Sequence, residues 1–277
     1  MAATEFNLFR IKFIKPAQKN FLHDDGKTPG DYFKAALENR PSLKIREPFI
    51  WHIGNLEYFS TTSGHFAVGR TTKKTVDLYD EKTKNFIEVD HKESPYAHCL
   101  FDSEIGIIVI GKNNTLSQRI ERISETIVKL LSLCSEIFLN EIRVEISPIP
   151  DPEGFIRQLS KASLITRFTA SFGGPNPFDA DEYFQRPMSV YLASAQGEKG
   201  ITTIKGESLN NETLVEVSKS TAATGNKAYA RIKRYKNGKP ETIHLEGDPV
   251  KRRIDLAHFS LQDVLGQFLK IYHEIRN

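Results

Sequence analysis

The chain has 277 residues, of which 39% are hydrophobic, 26% charged and 10% aromatic. This composition is typical of a globular protein that buries a core without disulfide bonds. The formal net charge of +3 is too small to indicate nucleic-acid binding by itself. The longest apolar run, 105–110, is far shorter than the ~18–20 residues that a membrane-spanning helix needs, so no membrane contact is predicted.

The cysteines and the N-terminal segment predict the cellular compartment. Cys99 and Cys134 lie too far apart in the sequence to indicate a disulfide framework, and a reducing compartment is the default for such cysteine usage. Segment 1–6 lacks the charged and then apolar pattern of a secretion signal. These features predict a soluble cytoplasmic protein. No motif indicates a cofactor.

The first half begins with a predicted strand and helix. Residues 5–14 alternate in hydrophobicity, which predicts a strand, and residues 31–39 have the apolar spacing of a helix. Short strands separated by turns are predicted over 49–90, and a hairpin is predicted from 97–101 and 105–110.

A long helix is predicted over 116–138. Its apolar residues recur at alternating steps of four and three: Leu116, Ile120, Ile123, Ile127, Leu130, Cys134 and Ile137. Further apolar residues widen this stripe, which favours packing on a sheet. The same spacing also suits a coiled-coil seam, so the 116–137 helix is the candidate surface for a homodimer or a protein partner.

The second half has a regular order of predicted elements. They are strand 141–147, helix 152–162, strand 164–172, a polar insertion 179–196, strand 201–205, helix 211–223 and a strand from 227. This βαββαβ order is that of a ferredoxin-like unit. A last helix is predicted over 261–275.

These elements predict an α+β fold of antiparallel sheets with packed helices. We expect an N-terminal α+β domain over 1–138 and a ferredoxin-like domain over 139–277, and the two are also compatible with one compact unit. The first half is interpreted as a degenerate second ferredoxin-like unit. Two such units in tandem resemble the RNA-processing proteins of CRISPR systems, which implies a link to microbial defence. The resemblance is one of inferred architecture, because the glycine-rich terminal signature of that family is not evident here.

Segment 227–239 is the most informative stretch of the chain. It contains six basic residues, two tyrosines and no acid. With the two-residue period of a strand, one face carries Tyr229, Arg231, Lys233 and Tyr235. Asn237-Gly238 predicts a tight hairpin turn after this strand. Alternating rings and cations suit nucleic acid, because phosphates bind the cations and bases stack on the rings.

The basic character of this region is local. Residues 219–253 contain ten Lys and Arg residues and three acids, whereas the rest of the chain contains 28 basic and 32 acidic residues. A local excess of this kind is the electrostatic pattern of a nucleic-acid-binding surface. The predicted binding residues are Lys227, Tyr229, Arg231, Lys233, Arg234, Tyr235, Lys236 and Lys239, extended by Lys251, Arg252 and Arg253. RNA is favoured over DNA because ferredoxin-like modules often bind RNA on an open sheet face.

Two alternatives to nucleic-acid binding remain open. His52 and His65 flank a predicted hairpin, and such a pair supplies the general acid and base of a metal-independent nuclease. A metal-dependent nuclease is less favoured, because no zinc-ligand spacing is present and the acids at 179–182 fit the first turn of a helix. The other alternative is a non-enzymatic interaction subunit of a larger complex.

Overall fold

The computed structural model describes residues 3–16, 26–82, 84–174 and 184–276. Its strands are β1 (Thr4–Ile14), β2 (Ser42–Arg46), β3 (Phe49–Tyr58), β4 (Ser63–Asp80), β5 (Asn85–Glu93), β6 (Tyr96–Asp102), β7 (Ile107–Gly111), β8 (Arg143–Pro148), β9 (Leu164–Phe172), β10 (Gly200–Lys205), β11 (Ala228–Lys233), β12 (Glu241–Leu245) and β13 (Lys251–Ile254). Its helices are α1 (Pro29–Glu38), α2 (Ile120–Leu131), α3 (Ser135–Leu139), α4 (Glu153–Ser160), α5 (Gln185–Ser194), α6 (Asn211–Ala223) and α7 (Leu261–Arg276).

The larger of the two sheets is antiparallel. Its strand order is β13-β1-β7-β6-β4-β3-β2, with β8 also paired to β1 and β5 to the outer part of β4. Helices α1, α2 and α3 pack on one face, over buried side chains that include Trp51, Phe66 and Phe101. Helix α7 packs on the other face, and Phe268 and Tyr272 are fully buried there.

The smaller sheet is also antiparallel and has the order β10-β9-β11-β12. Its inner face packs on α4, α5 and α6, and α6 in turn packs against α7. The layers therefore run helices, large sheet, helices, small sheet, which leaves the outer face of the small sheet towards solvent. The prediction of an α+β fold with antiparallel sheets and packed helices is confirmed.

Strand β1 connects the two halves of the chain. One edge of β1 pairs with β13 and β8 from the second half, and the other edge pairs with β7 from the first half. Phe6 and Leu8 of β1 belong to the same buried cluster as residues of the small sheet and α7. The boundary at 138/139 stays a prediction, but strand pairing and core packing both cross it.

The ferredoxin-like prediction is not confirmed in its strand pairing. The predicted element order is present, but a ferredoxin-like unit places its four strands in one sheet. Here β8 pairs with β1 of the large sheet, and β12 joins β9, β10 and β11 instead. The first half forms an antiparallel run of β2, β3, β4, β6 and β7 rather than a second such unit. Hydrophobic periodicity identifies a strand but not the partner with which it pairs.

The helix predicted over 116–138 is two helices. α2 begins at Ile120, and α3 begins at Ser135 after a break. The apolar stripe packs on the large sheet, where Ile123, Ile127 and Leu130 are 0% exposed. The stripe itself is therefore covered by the sheet and is not available as a homodimer seam, and a partner surface elsewhere on the 116–137 helix stays a prediction.

Arg10 of β1 is 2% exposed and lies between the two sheets. Its Nε and Nη2 atoms donate to Ala223 O at the end of α6, at 3.1 and 2.7 Å. Nη2 also donates to Tyr272 Oη at 2.9 Å, and Nη1 donates to the carbonyls of Ile105 and Gly106. Because the C-terminal carbonyls of a helix lack intrahelical partners and carry partial negative charge, this guanidinium caps α6.

Lys12, two residues along the same strand, is buried with far fewer partners. It is 7% exposed, and its Nζ donates to Gly173 O at 3.3 Å. Burial and the neighbouring Arg10 charge lower the pKa of Lys12 to about 7, although Glu145, directly opposite on β8, acts in the other direction. Arg10 is therefore well compensated in the interior, and Lys12 is not.

Candidate nucleic-acid interface

The predicted alternation of segment 227–239 holds over β11. Ala228, Ala230 and Ile232 are at most 2% exposed and pack in the core, whereas Tyr229 is 40% exposed. Arg231 is also exposed. Small apolar side chains on the inner face allow α6 to approach the sheet, and the tyrosine and arginine are thereby turned outward.

The end of the predicted strand differs from the expectation. β11 ends at Lys233, so Tyr235 lies in the connection to β12, where it is 76% exposed. The Gly238 N–H donates to Tyr235 O at 2.8 Å, which makes a turn of the predicted Asn237-Gly238 region. Arg234 pairs with Glu241 across the base of this connection. Arg234 and Tyr235 therefore lie outside β11. Tyr235 is not on the strand face on which the sequence placed it.

The outer face of the small sheet carries a row of three cations. Lys205 of β10 is directly opposite Arg167 of β9, and Arg167 is directly opposite Arg231 of β11. Directly opposed residues in an antiparallel sheet point to the same face, so this cation row crosses three strands, or about 10 Å. Among the described residues, none of the three has an acidic partner.

A second row, two residues along each strand, carries rings and hydroxyls. Tyr229 lies between Thr169 on β9 and His244 on β12 in the strand register. The Tyr229 and His244 rings are 6.0 Å apart and inclined by 35°. Thr169 Oγ1 lies 2.9 Å from Thr203 Oγ1 on β10. Together with the cation row, these side chains form what we call the open face.

Sequence reasoning missed Arg167, Lys205 and His244. Arg167 and Lys205 come from separate segments, each with a single cation among threonines, and only the strand register aligns them with Arg231. The alternation of β9 was the available signal, because it places Arg167, Thr169 and Ser171 on one face. That alternation does not indicate which segment lies beside β11.

The remaining predicted residues of the hairpin are only partly neutralised. Lys227, just before β11, lies 3.6 Å from Glu246. Lys233, Lys236 and Lys239 have no acidic partner within the described part of the chain. They surround the open face on the side of the β11–β12 connection.

Lys251, Arg252 and Arg253 do not extend this track. They form β13, which is paired to β1 in the large sheet. The chain leaves the small sheet at buried Val250, whose backbone N–H donates to Ile149 O and whose carbonyl accepts from the Leu8 N–H. Lys251 and Arg253 lie beside Asp248 and Glu5, each at 3.9 Å. These three residues therefore lie in the other sheet, and the structure gives no support to their place in the predicted track.

The two predicted catalytic histidines are not brought together. The β3–β4 register places His52 opposite Gly69, four residues along β4 from His65, or about 13 Å. His52 Nδ1 and Nε2 lie 2.8 Å from Ser42 Oγ and 3.2 Å from Thr71 Oγ1. The nuclease alternative therefore loses the acid–base pair on which it depended.

His65 is instead paired with His98 of β6. His65 Nε2 lies 3.0 Å from His98 Nδ1, and His65 is 5% exposed. Burial lowers the pKa of His98, and burial together with the neighbouring His98 lowers the pKa of His65 to about 4. Both rings are therefore neutral at pH 7, so neither supplies a charged general acid there.

The His65–His98 pair predicts a loss of stability in mild acid. An unfolded His65 takes up a proton near the ordinary histidine pKa of 6.5, but the folded one does so only near 4. The unfolded state binds more protons between these values, so the free energy of unfolding falls as the pH falls, by about 3 kcal/mol in all. Urea unfolding at a series of pH values measures this slope. The slope should be smaller in His65→Gln, and equal slopes in both proteins would contradict the assignment.

Acidic and metal-ligating groups add little to the site. Within the described ranges, no group of three or more His, Cys, Asp or Glu side chains is arranged to hold a metal ion. The predicted acids at 179–182 lie outside the described residues.

None of the described helices combines the length and the apolar character needed to cross a membrane.

The sequence matches no model of a known protein family, and it has no significant match among curated proteins. The resemblance to RNA-processing proteins of CRISPR systems therefore stays a prediction.

Proposed function

We propose that this protein binds single-stranded nucleic acid, RNA in preference to DNA, on the open face of its small sheet. The observation that supports this most strongly is the cation row. Lys205, Arg167 and Arg231 are directly opposed on neighbouring strands without an acid between them. Like charges in such positions destabilise a sheet, and an anion bound across them removes that cost.

The neighbouring row supports a single strand rather than a duplex. Tyr229 and His244 present rings beside the cations, and unpaired bases stack on such rings with about 1–3 kcal/mol per base. Bases in a duplex are stacked on one another and are not available for this contact. The exposed hydroxyl of Thr242 lies beside Arg231 in the register and offers a partner for a ribose 2′-OH. This is the argument for RNA over DNA.

Charge reversal on the open face tests the proposal. The double variant Arg167→Glu/Arg231→Glu should bind single-stranded RNA at least about tenfold more weakly, because two phosphate contacts become repulsive. Fluorescence anisotropy with a labelled oligonucleotide measures the affinity. Repeating the titration at several salt concentrations should give a shallower salt dependence for the variant, by about 0.7 per lost phosphate contact.

The chain offers a matched control for this experiment. Arg252→Glu/Arg253→Glu makes the same change in net charge on β13, away from the open face. We expect this control to retain RNA affinity within about threefold, since only long-range charge is altered. Equal losses in both variants would contradict the open face as the site. Equal affinity of the native protein for RNA and for DNA of the same sequence would contradict the preference for RNA.

A further inference from the structure

A second basic region lies on the opposite side of the large sheet, where α2 packs. There a cleft of about 660 Å³ has walls from the β2–β3 turn, segment 114–119 and α2. Its volume falls in the range of small-molecule sites, about 300–1,000 Å³. It is lined by five cations and one acid: Arg46, Arg70, Arg119, Arg122 and Lys129, with Glu125.

Arg70 is fixed at the base of this cleft. Its guanidinium lies 4.4 Å from the centre of the Phe49 ring and 5.9 Å from that of Trp51, which is its direct partner in the β3–β4 register. Its Nη2 donates to Thr115 O at 2.9 Å. Its Nε is buried without a hydrogen-bond partner, which is an unfavourable state for a charged group. The Phe49 and Trp51 rings and the Thr115 carbonyl therefore hold the Arg70 guanidinium in place, while its Nε–H remains without an acceptor.

Helix α2 brings further cations to the same cleft. Arg122, Thr126 and Lys129 follow one another at the i, i+4, i+7 spacing that places them on one side of the helix. Arg119 precedes the helix and lies 3.6 Å from Glu121. Arg46, Arg70, Arg122 and Lys129 have no acidic partner among the described side chains. Concave sites with unbalanced charge of one sign attract ligands of the opposite sign.

We propose that this cleft binds a linear chain of phosphates, as found in a nucleoside triphosphate or in inorganic polyphosphate. Arg122 and Lys129 are seven positions apart on α2, or about 10 Å along the axis, so the cations of the cleft are spread over a length that a linear chain of phosphates fits. The rings are not open for base stacking, because Arg70 covers Phe49 and Trp51 is 7% exposed. The phosphates rather than a base are therefore the recognised part.

Calorimetric titration of the full chain with sodium tripolyphosphate tests this inference. The variant Arg122→Gln/Lys129→Gln removes two exposed cations from the cleft, and its affinity should fall at least about tenfold. The matched control Arg157→Gln/Lys161→Gln removes the same charge from exposed positions in and beside α4 and should bind as the native chain does. Far-ultraviolet circular dichroism establishes that both variants remain folded.

The other titrations distinguish the source of the phosphate chain. Equal affinity for ATP and tripolyphosphate is expected and identifies the phosphate chain alone as the recognised part, whereas tighter binding of ATP would overturn that part of the inference, because the nucleoside would then be contacted as well. Inorganic phosphate should bind much more weakly than either. The inference is overturned if neither ATP nor tripolyphosphate binds, if both variants bind equally, or if inorganic phosphate binds as tightly as tripolyphosphate. Displacement of bound tripolyphosphate by single-stranded RNA would also overturn it, because the cleft would then belong to an RNA path.

Discussion

Arg10→Met is expected to lower the free energy of unfolding by about 3–5 kcal/mol, because several buried acceptors lose their donor at once. Methionine fills a similar length but donates no hydrogen bond. Ala223 O, Ile105 O and Tyr272 Oη would then lie in the interior without the partner that they now share. The end of α6 would also lose the positive charge that compensates its dipole.

Equilibrium unfolding in guanidinium chloride measures this loss. The free energy of unfolding of Arg10→Lys should fall between those of the native chain and Arg10→Met. An ammonium keeps the charge, but it is too compact to contact all the acceptors that surround the planar guanidinium. A loss below about 1 kcal/mol for Arg10→Met would show that the surrounding carbonyls find other partners and that Arg10 does not hold the layers together.

The same substitution two residues along the strand should have the opposite effect. Lys12→Met is expected to raise the free energy of unfolding at pH 7 by about 1–3 kcal/mol, because a poorly compensated buried charge is replaced by an apolar chain of similar volume. Glu145 remains paired after the change, since Arg143 and Lys199 each lie 3.0 Å from it. Among the described residues, the hydrogen bond that is lost is the 3.3 Å contact to Gly173 O.

The pH dependence of this gain is a further part of the same test. An unfolded Lys12 binds its proton below about 10.5, and the folded one only below about 7. Between these values the unfolded state binds more protons, so native stability rises with pH, and Lys12→Met should lack that rise. The gain should therefore be largest at pH 7 and below, and should shrink towards pH 10. A destabilised Lys12→Met variant, or one that keeps the full rise, would contradict this account.

What the sequence predicted well was local. The alternation in β11 is set by small apolar residues against Tyr229 and Arg231, and neighbouring residues of one strand are enough to establish it. The stripe of α2 was also readable, because the helical spacing identifies a helix and the width of the stripe favours a sheet as its partner. The α+β fold follows from these patterns.

What the sequence could not predict was which segments meet. Arg167 and Lys205 become part of the open face only through the β9 register. His65 meets His98 rather than His52 because β4 pairs with β6 on that side. In the sequence, Arg70 is a single cation in a β-rich block, and its contacts with Phe49 and Thr115 are evident only from the structure. Contacts of this kind depend on pairing between strands that are distant in the sequence, which local hydrophobic patterns do not specify.

The position of β1 has a consequence for the order in which the chain can fold. Thr4 is opposite Ile254, so the first strand of the chain meets a partner about 250 residues later. Closing so large a loop costs chain entropy before any contact repays it, and topologies of this kind fold slowly. During synthesis, residues 4–7 of β1 keep an unpaired edge, and Arg10 lacks its Tyr272 partner, until β13 and α7 have left the ribosome. Nascent chains of this protein are therefore expected to depend on chaperones that shield strand edges.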